Sequence, residues 1–573
     1  MEKSEKPSAS LFGLTTLRLC APALVAYVFA TLLTDARFMA DTSDYVDSIV
    51  ARERGVYYNF WEFGHLIWRP LGWLLWQAAE PVARLFDAGA DTRAGVTWLL
   101  VALNWVAGLL CVLLFNALAA RLLPRRLWIA SVATVALIFS HGFLNNAQIG
   151  SSYIPGLAFV LAGLYFMTGS DAQEGRRPWR TSLLAGASLA GAVCMWFLYV
   201  WSIPGVLLAP VLLFGMDRRR ARLVVLTALV GGVSTALVYA LALASLGIHT
   251  PAELKEWIAP SAHGNYTKGV TRMIFGVARS FIEMGNDGML FKRYLLRDPF
   301  NSVSLFELAR RSLWKFFFFY VFLFALLAAT LTAGARGRRY LALLAAGGVP
   351  VVVFAIFFDG GAVERYLPLY PFLFLALAFT LESERVWSVF KWTAIAFVVV
   401  MTLGNASALS KFVLGRQQAA AVARVGELQA RLRPHSRVFT VTWLDELVNF
   451  NRSFPFHPLN RDEDLKVYSL VTPGTSQVLQ WREDLASLSF ETWGRGGDIW
   501  ISRRALSDRP QRDWNWVEGD DPNVHWRDFP AFFSQVELGE TVGGEDGFML
   551  LAPTPDNQRL LRAVLNEKAH GAR

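Results

Sequence analysis

The sequence predicts an α-helical polytopic membrane protein of about 11 transmembrane helices that ends in a small soluble α/β domain. Two observations support this prediction. The 573 residues are 54% hydrophobic and only 18% charged, whereas soluble domains average about 25% charge. The arginines also gather in short segments between long apolar runs. Disordered, collagen-like and disulfide-rich classes are therefore excluded, and the net charge of +9 indicates membrane topology rather than nucleic-acid binding.

Eleven apolar segments predict the individual spans, because a spanning helix needs about 20 mostly apolar residues. The run 181–215 is too long for one ordinary span, so we expect two spans joined by a tight turn at 202–205. The predicted spans are 11–34, 96–120, 127–143, 152–168, 181–197, 199–215, 223–247, 312–333, 340–358, 366–381 and 392–409.

Four arginine clusters predict the orientation. They lie within 121–126, 176–180, 218–222 and 336–339, and the positive-inside rule assigns all four to the cytoplasm. Only one further crossing then fits between the first span and the first cluster. Segment 66–86, which contains charges, prolines and three tryptophans, is therefore predicted to lie on the membrane surface. The N-terminus is expected inside and the C-terminus outside.

The composition changes at about residue 410. Residues 1–410 are predicted to form the membrane domain, with large outer loops at 35–95 and 248–311. Residues 411–573 are polar and contain strand-like runs, so we expect a soluble α/β domain on the outer side. The histidines have no metal-ligand spacing, and no metal site is predicted.

The spans contain few ionisable groups, and Lys315 is the only lysine or acid well inside them. Ion-coupled carriers need ionisable groups at membrane depth, so we expect any chemistry in the outer loops. The first outer loop has three carboxylates within seven residues, Asp41, Asp44 and Asp47. Such a cluster is unfavourable unless something uses or balances it. A solvated loop with an N-cap at Asp41 or Ser43 is the alternative interpretation.

Three further segments accompany the acidic one. Glu62–Gly72 reads EFGHLIWRPLG and opens the predicted surface helix. The second outer loop has amides at 145–148, followed by Tyr153. Gly361–Pro371 reads GAVERYLPLYP and enters a late span. An acidic motif after the first span, a His- and Pro-containing motif, and a late Arg-Tyr-Leu motif thus follow one another.

This order of motifs resembles the GT-C glycosyltransferases, polytopic enzymes that use polyprenyl-phosphate sugars on the outer face of the membrane. The resemblance covers residues 1 to about 410 and extends to protein O-mannosyltransferase-like and aminoarabinose transferase-like enzymes. It implies a GT-C-like fold and an inverting enzyme in a bacterial inner membrane. Such an enzyme would move one sugar from a polyprenyl-phosphate donor to a hydroxyl of a periplasmic glycan, lipid or protein. No cofactor is implied, and metal dependence stays open.

The resemblance also implies roles for single residues. Asp41 is the expected general base, with Asp44 as its substitute. Arg69 and Arg365 are expected to bind the donor phosphate, because a guanidinium binds phosphate bidentately. Lys268 and Lys315 are further candidates for that phosphate. The expected substrate-binding residues are Tyr45, His65, Gln148, Tyr153, Glu364 and Tyr366. The amides at 145–148 stand where related enzymes often carry an acid, which argues against a second catalytic carboxylate there.

Three alternatives remain open at this point. Arg365 is alternatively an interfacial residue whose long side chain reaches the headgroups beside Glu364. A carrier or flippase for a lipid-linked sugar would function without Asp41. A non-catalytic envelope assembly protein would depend on its outer domain instead.

Overall fold

The computed structural model describes 14–36, 41–53, 60–86, 92–169, 172, 178–259, 269–284, 290–291, 294, 303–442, 466–471, 481–508, 525–544 and 547–571. Lys268 therefore lies outside the described residues. The chain divides into two compact units. A helical unit comprises Met1–Gly288 and Ala309–Lys411, and a second unit comprises Met289–Leu308 and Phe412–Arg573.

Sixteen described α-helices precede residue 410. They are α1 (Leu14–Leu33), α2 (Thr42–Glu53), α3 (Trp68–Phe86), α4 (Thr92–Leu122), α5 (Leu127–Ile138), α6 (His141–Asn146), α7 (Tyr153–Met167), α8 (Pro178–Met195), α9 (Ile203–Phe214), α10 (Arg218–Leu246), α11 (Pro251–Ile258), α12 (Val270–Phe281), α13 (Leu305–Thr332), α14 (Gly334–Phe357), α15 (Tyr370–Glu382) and α16 (Ser388–Ala408).

The described helices make this a multi-pass membrane protein. Six helical segments are long and apolar enough to cross a membrane, namely Thr92–Leu122, Phe197–Phe214, Arg218–Leu246, Leu305–Thr332, Gly334–Phe357 and Ser388–Ala408. Three shorter apolar helices lie in α1, α5 and α7. A helix occupies each of the eleven predicted spans, with α8 and α15 in the remaining two. The surface segment forms α3, which is not among the described helices that are apolar enough to cross.

The connection inside the run 181–215 differs from the expected tight turn. Helix α8 ends at Met195, Trp196 is extended, and a 3-10 helix at Phe197–Ser202 leads into α9. The proline at 204 starts the second helix, because proline is favoured in the first turn, where its missing N–H leaves no bond unmade. The break lies eight residues before Pro204.

The core of the helical unit surrounds α15. Every residue of this helix is buried, as expected for a helix that is apolar on all sides. Close packing next to it depends on small residues. A Cβ on Gly205 would lie 2.5 Å from the Cα of Gly347, so α9 and α14 approach each other as glycine-containing membrane helices do.

Two arginine-rich segments, 121–126 and 336–339, meet at one end of the helical unit. Arg336 donates to the carbonyl of Leu122 (3.3 Å), and Arg339 donates to that of Leu213 (3.1 Å). The buried carboxylate of Glu382 accepts from the backbone of Arg125 (3.0 Å). We call this the basic end. Helix α14 begins there and runs for 24 residues, about 36 Å at 1.5 Å per residue, to the opposite end.

The described residues of the second unit form a five-stranded mixed sheet, consistent with the α/β prediction. Its strands are β1 (Arg437–Thr442), β2 (Lys466–Val471), β3 (Ile499–Ser502), β4 (Leu538–Val542) and β5 (Phe548–Leu551). The order is β2-β1-β3-β5-β4, with β1 parallel to β2 and β3 and with β5 antiparallel to β3 and β4. The helices around it are α17 (Lys411–Gln429), α18 (Trp481–Gly494), α19 (Asp528–Phe533) and α20 (Pro555–Gly571).

Candidate active site

The acidic motif begins α2. The carbonyl of Asp41 accepts from the backbone of Tyr45 (3.0 Å), so Asp41 stands at the start of the first turn. Its carboxylate accepts a hydrogen bond from the phenol of Tyr153, the first residue of α7. Thr42 is buried and accepts from the backbone of Gly150 (2.9 Å). The helix dipole of α2 favours a negative charge here, and Tyr153 fixes its position.

The His- and Pro-containing motif also contacts the acidic motif and the loop before α7. His65 is buried, and its Nδ1 lies 2.6 Å from Oγ of Ser152. Its ring contacts those of Tyr45 (centroids 5.4 Å apart) and Tyr153 (5.6 Å). Trp68 donates to the carbonyl of Gly150 (2.9 Å). The loop before α7 is thus held between the acidic motif and the histidine motif.

Arg69 forms a buried ion pair. Its guanidinium lies 2.6 Å from the carboxylate of Glu62, and the two side chains are 5% and 7% exposed. The same guanidinium lies 5.0 Å from the ring centre of Tyr45. A buried carboxylate therefore already balances the charge of Arg69, and a donor phosphate would have to compete with it.

Arg365 has a different environment. It lies in the 3-10 turn Glu364–Leu369, and its guanidinium faces the rings of Trp196 (5.7 Å) and Phe358 (4.7 Å). Its Nε is buried and has no hydrogen-bond partner within the described ranges. The Trp196 ring is 4.6 Å from that of Tyr153, which binds Asp41. Asp41, His65, Tyr153, Trp196 and Arg365 thus form one connected group, which we call the site cluster.

The site cluster lies at the end of the helical unit opposite the basic end. Phe358, which covers Arg365, directly follows the last residue of α14, whereas Arg336 lies near its first residue. The end of α1 is on the same side, since Thr34 accepts from Gln148 in the loop before α7, whose Gly150 donates to Thr42 in the acidic motif. We call this the site end.

Glu364 is a titrating group that directly precedes Arg365 in the sequence. The pKa of its carboxyl is raised to about 7, mainly because burial disfavours the charged form; Arg365 acts in the opposite direction, and the charges of Asp359 and Asp41 add smaller increases. Near neutral pH this carboxyl is therefore partly protonated. Tyr45 is also buried, and burial holds the pKa of its phenol well above the ordinary value of 10.0.

Three predicted site residues make contacts within the framework around the site cluster. Gln148 donates to Thr34 (3.0 Å) and so fastens the end of α1. Tyr366 donates to the carbonyl of Gly360 (2.7 Å), which steadies the loop before the Arg365 turn. Asp44 lies in the first turn of α2, where its carbonyl accepts from Ser48 (2.8 Å).

Lys315 lies apart from the site cluster. Its ammonium donates to the carbonyl of Glu283 (2.7 Å) and lies 3.5 Å from the carboxylate of the same residue. Among the contacts that the structure describes, none joins Lys315 to Asp41 or to Arg365. The described residues also contain no group of three or more His, Cys, Asp or Glu side chains that could hold a metal ion.

Sequence reasoning did not identify Trp196 or Ser152. Trp196 lies in an apolar run that predicts only transmembrane helix, and an extended residue inside such a run leaves no composition signal. Ser152 is the first residue of the predicted span 152–168, where a serine is ordinarily explained as a helix cap.

No protein-family model matches the sequence, and no curated protein matches it. Several solved structures do match this chain. ArnT from Cupriavidus metallidurans bound to undecaprenyl phosphate matches with a TM-score of 0.51 and 15% identity, over 95% of this chain and 98% of that one. ArnT in the apo state matches with a TM-score of 0.48 and 13% identity over the same shares. The oligosaccharyltransferase AglB from Archaeoglobus fulgidus, in complex with an inhibitory peptide and a dolichol-phosphate, matches with a TM-score of 0.46 and 12% identity, over 95% of this chain and 74% of that one.

ArnT is a GT-C glycosyltransferase, and its match extends over nearly the whole of both chains. The predicted resemblance to the GT-C superfamily is therefore confirmed at the level of the fold: this chain has the fold of a GT-C glycosyltransferase.

Proposed function

We propose that this protein is an inverting glycosyltransferase that moves one sugar from a polyprenyl-phosphate donor to an acceptor hydroxyl. The single observation that carries the proposal is the connected site cluster. It joins a carboxylate, Asp41, through Tyr153 and Trp196 to the guanidinium of Arg365. The GT-C fold, shared with an ArnT structure that contains undecaprenyl phosphate, supports the choice of donor.

The chemistry needs one base and one cation. Asp41 takes the proton of the acceptor hydroxyl as the acceptor oxygen forms a bond to the anomeric carbon. The bond between that carbon and the phosphate oxygen breaks on the opposite face, so the anomeric centre inverts. The electron pair leaves with the polyprenyl phosphate, and the negative charge that develops there is stabilised by Arg365. We rank Arg365 above Arg69 as the phosphate ligand, because Arg69 is paired with Glu62.

The reaction is assigned to the periplasmic face of a bacterial inner membrane. The basic end belongs in the cytoplasm by the positive-inside rule, which leaves the site end outside. The bridge between Thr34 and Ser410 requires α1 and α16 to end on the same face. An odd number of spans satisfies this requirement, and eleven is the predicted number. Residues 1–410 would then be the catalytic membrane domain, and 411–573 a periplasmic domain.

The test is transfer by the purified full-length protein. Polyprenyl-phosphate sugars are supplied with lipid, glycan and peptide acceptors, and the transferred sugar is measured. Asp41→Asn is expected to lower kcat by about 10²–10⁴-fold, the usual contribution of a general base. Asp47→Asn is the matched control, because Asp47 lies in the same motif but is half-exposed and pairs with the half-exposed Arg93.

Four outcomes would contradict the proposal. The wild type transfers no sugar from any donor, or Asp41→Asn keeps full activity. In a flux assay with vesicles, a carrier would move the lipid-linked sugar across the membrane in both the wild type and Asp41→Asn. An assembly protein would lose its function when 411–573 is deleted, while Asp41→Asn would be silent.

A further inference from the structure

The helix break at Trp196 places an aromatic ring inside the site cluster. Helix α8 ends at Met195, and Trp196 has extended backbone angles of φ −152° and ψ 114° before the 3-10 helix Phe197–Ser202. A neighbouring carbonyl at this break is satisfied from outside the helix, since Cys194 accepts from the backbone of Ile67 (3.1 Å) in the histidine motif. Irregular backbone in a membrane protein is tolerated where protein covers it, and Trp196 is only 2% exposed.

The Trp196 indole contacts Tyr153, which binds Asp41, and also contacts Arg365. Its ring lies 4.6 Å from that of Tyr153, at an angle of 60°, and stacks on His65 at 6.4 Å. The Arg365 guanidinium faces the same ring at 5.7 Å. The indole also contacts the ring of Tyr199 (5.4 Å), whose phenol donates to the carbonyl of Tyr153 (2.5 Å).

Through these contacts the indole can hold two groups of the site in position. Tyr153 binds Asp41, and Arg365 has a buried Nε without a partner in the described part of the chain. The rings of Trp196 and Phe358 both contact the guanidinium of Arg365 and help to hold its position. A cation held over an aromatic face is attracted by the ring quadrupole but keeps its N–H groups for another ligand.

We infer that Trp196 is a positioning residue that sets the distance between the base and the phosphate-binding guanidinium. This inference rests on the proposed function. Trp196 touches no reacting atom in this scheme. It acts through Tyr153 on Asp41 and through its face on Arg365, so that both groups meet the same donor sugar phosphate.

The experiment compares Trp196→Leu, Trp196→Phe and the matched control Trp201→Leu in the full-length protein. Trp201 belongs to the 3-10 helix that follows Trp196 and stacks on Phe354 (5.1 Å), outside the site cluster. Trp196→Leu is expected to lower kcat by about 100-fold, the usual result of a displacement of 1 Å, with little change in the acceptor KM. Trp196→Phe keeps an aromatic face and is expected to recover most of the loss. Trp201→Leu is expected to keep the wild-type kcat.

A second measurement does not depend on turnover. Binding of undecaprenyl phosphate is measured directly, and Trp196→Leu is expected to weaken it about tenfold, because Arg365 loses its support. Equal kcat and equal binding in Trp196→Leu and the wild type would overturn the inference. So would equal losses in kcat and thermal stability for Trp196→Leu and Trp201→Leu, which would indicate a purely structural role. A wild type that binds undecaprenyl phosphate but transfers no sugar would contradict the proposed function, while the binding comparison would still decide the role of Trp196.

Discussion

The two ends of the helical unit use arginine in different ways. At the basic end the guanidiniums donate to carbonyls in the last turns of helices, as Arg336 does to Leu122 and Arg339 to Leu213. A buried carboxylate, Glu382, accepts from that end as well. At the site end Arg365 lies between aromatic rings, and its Nε has no partner within the described residues. Arginines that cap helix ends stabilise the fold, whereas we propose that Arg365 keeps its donors for a ligand.

The two arginines of the site end, Arg69 and Arg365, differ in their partners. Substitution of Arg69 is the strongest test of this difference. Removal of Arg69 would leave the buried carboxylate of Glu62 without its cation, so Arg69→Met is expected to lower the free energy of unfolding by about 3–5 kcal/mol. Thermal unfolding in detergent, with and without Glu62→Gln in the same chain, measures the effect. The double variant is expected to be more stable than Arg69→Met alone.

Arg84→Met is the control for Arg69, because Arg84 is 66% exposed on the same helix, α3, and pairs with Glu80. An exposed pair contributes about 0.2–1 kcal/mol, so little change is expected. A stable Arg69→Met protein that cannot bind undecaprenyl phosphate would place Arg69 with Arg365 as a ligand, and the distinction between the two arginines would fail.

Arg365 should show the opposite behaviour, with a large effect on rate and a small effect on stability. Arg365→Ala is expected to lower kcat by about 10²–10³-fold, about 2.7–4 kcal/mol, as removal of one group that stabilises a developing anion does. Arg365→Lys keeps the charge but loses the planar fork, so only partial recovery is expected. Sugar transfer and thermal unfolding are measured on the same preparations.

Arg272→Ala serves as the control for Arg365, because Arg272 is an exposed arginine of α12. Its removal is expected to leave both rate and stability unchanged. Wild-type kcat in Arg365→Ala would show that Arg365 is only an interfacial residue, the alternative that the sequence left open.

The sequence predicts the helices well and the pairing of charges poorly. Apolar length alone places a helix at each of the eleven spans, because burial in lipid requires such length wherever the chain crosses. Asp41 and Arg365 are identified by motif, and the structure connects them. Arg69 was expected to have the same role as Arg365, and nothing local distinguishes the two. Their difference depends on which carboxylate and which rings the fold brings beside each guanidinium.

The same reason explains why Trp196 and Gln148 could not be assigned from the sequence. The break at Trp196 coincides with a hydrogen bond from Ile67, more than 120 residues away in the chain, to Cys194. Gln148 stands in the outer loop expected to face substrate, but it donates to Thr34 at the end of α1. Both outcomes follow from tertiary contacts that neither hydropathy nor spacing contains.

Substitution of Glu382 tests the structural role of the basic end separately from the site end. Its side chain is 1% exposed and lies 3.3 Å from the guanidinium of Arg336. Glu382→Gln is expected to lower the free energy of unfolding by about 1.5–3 kcal/mol, the value of hydrogen bonds to a charged group, while kcat per folded molecule stays unchanged. Thermal unfolding and sugar transfer are measured together. A loss of kcat without a loss of stability would show that the two ends are coupled, and would contradict a purely structural basic end.

The smallest expected effect is a pH dependence that arises from Glu364. Its carboxyl has a pKa of about 7 in the folded protein, against an ordinary value of 4.5. The folded state therefore holds this proton more tightly than the unfolded state, and the contribution of Glu364 to stability falls as the pH rises from about 4.5 to about 7. In the same interval the ionised carboxylate begins to compete with the donor phosphate for Arg365.

The donor kcat/KM of the wild type is thus expected to decline as the pH rises through about 7, and Glu364→Gln should remove this decline while transfer continues. The measurement is the pH profile of donor kcat/KM for both proteins, together with thermal unfolding at each pH. A decline that persists in Glu364→Gln would assign it to another group at the site end. A flat wild-type profile would mean that Glu364 does not compete for Arg365. An arginine placed to bind a ligand should be sensitive to such a neighbour, whereas an arginine that caps a helix end should not be.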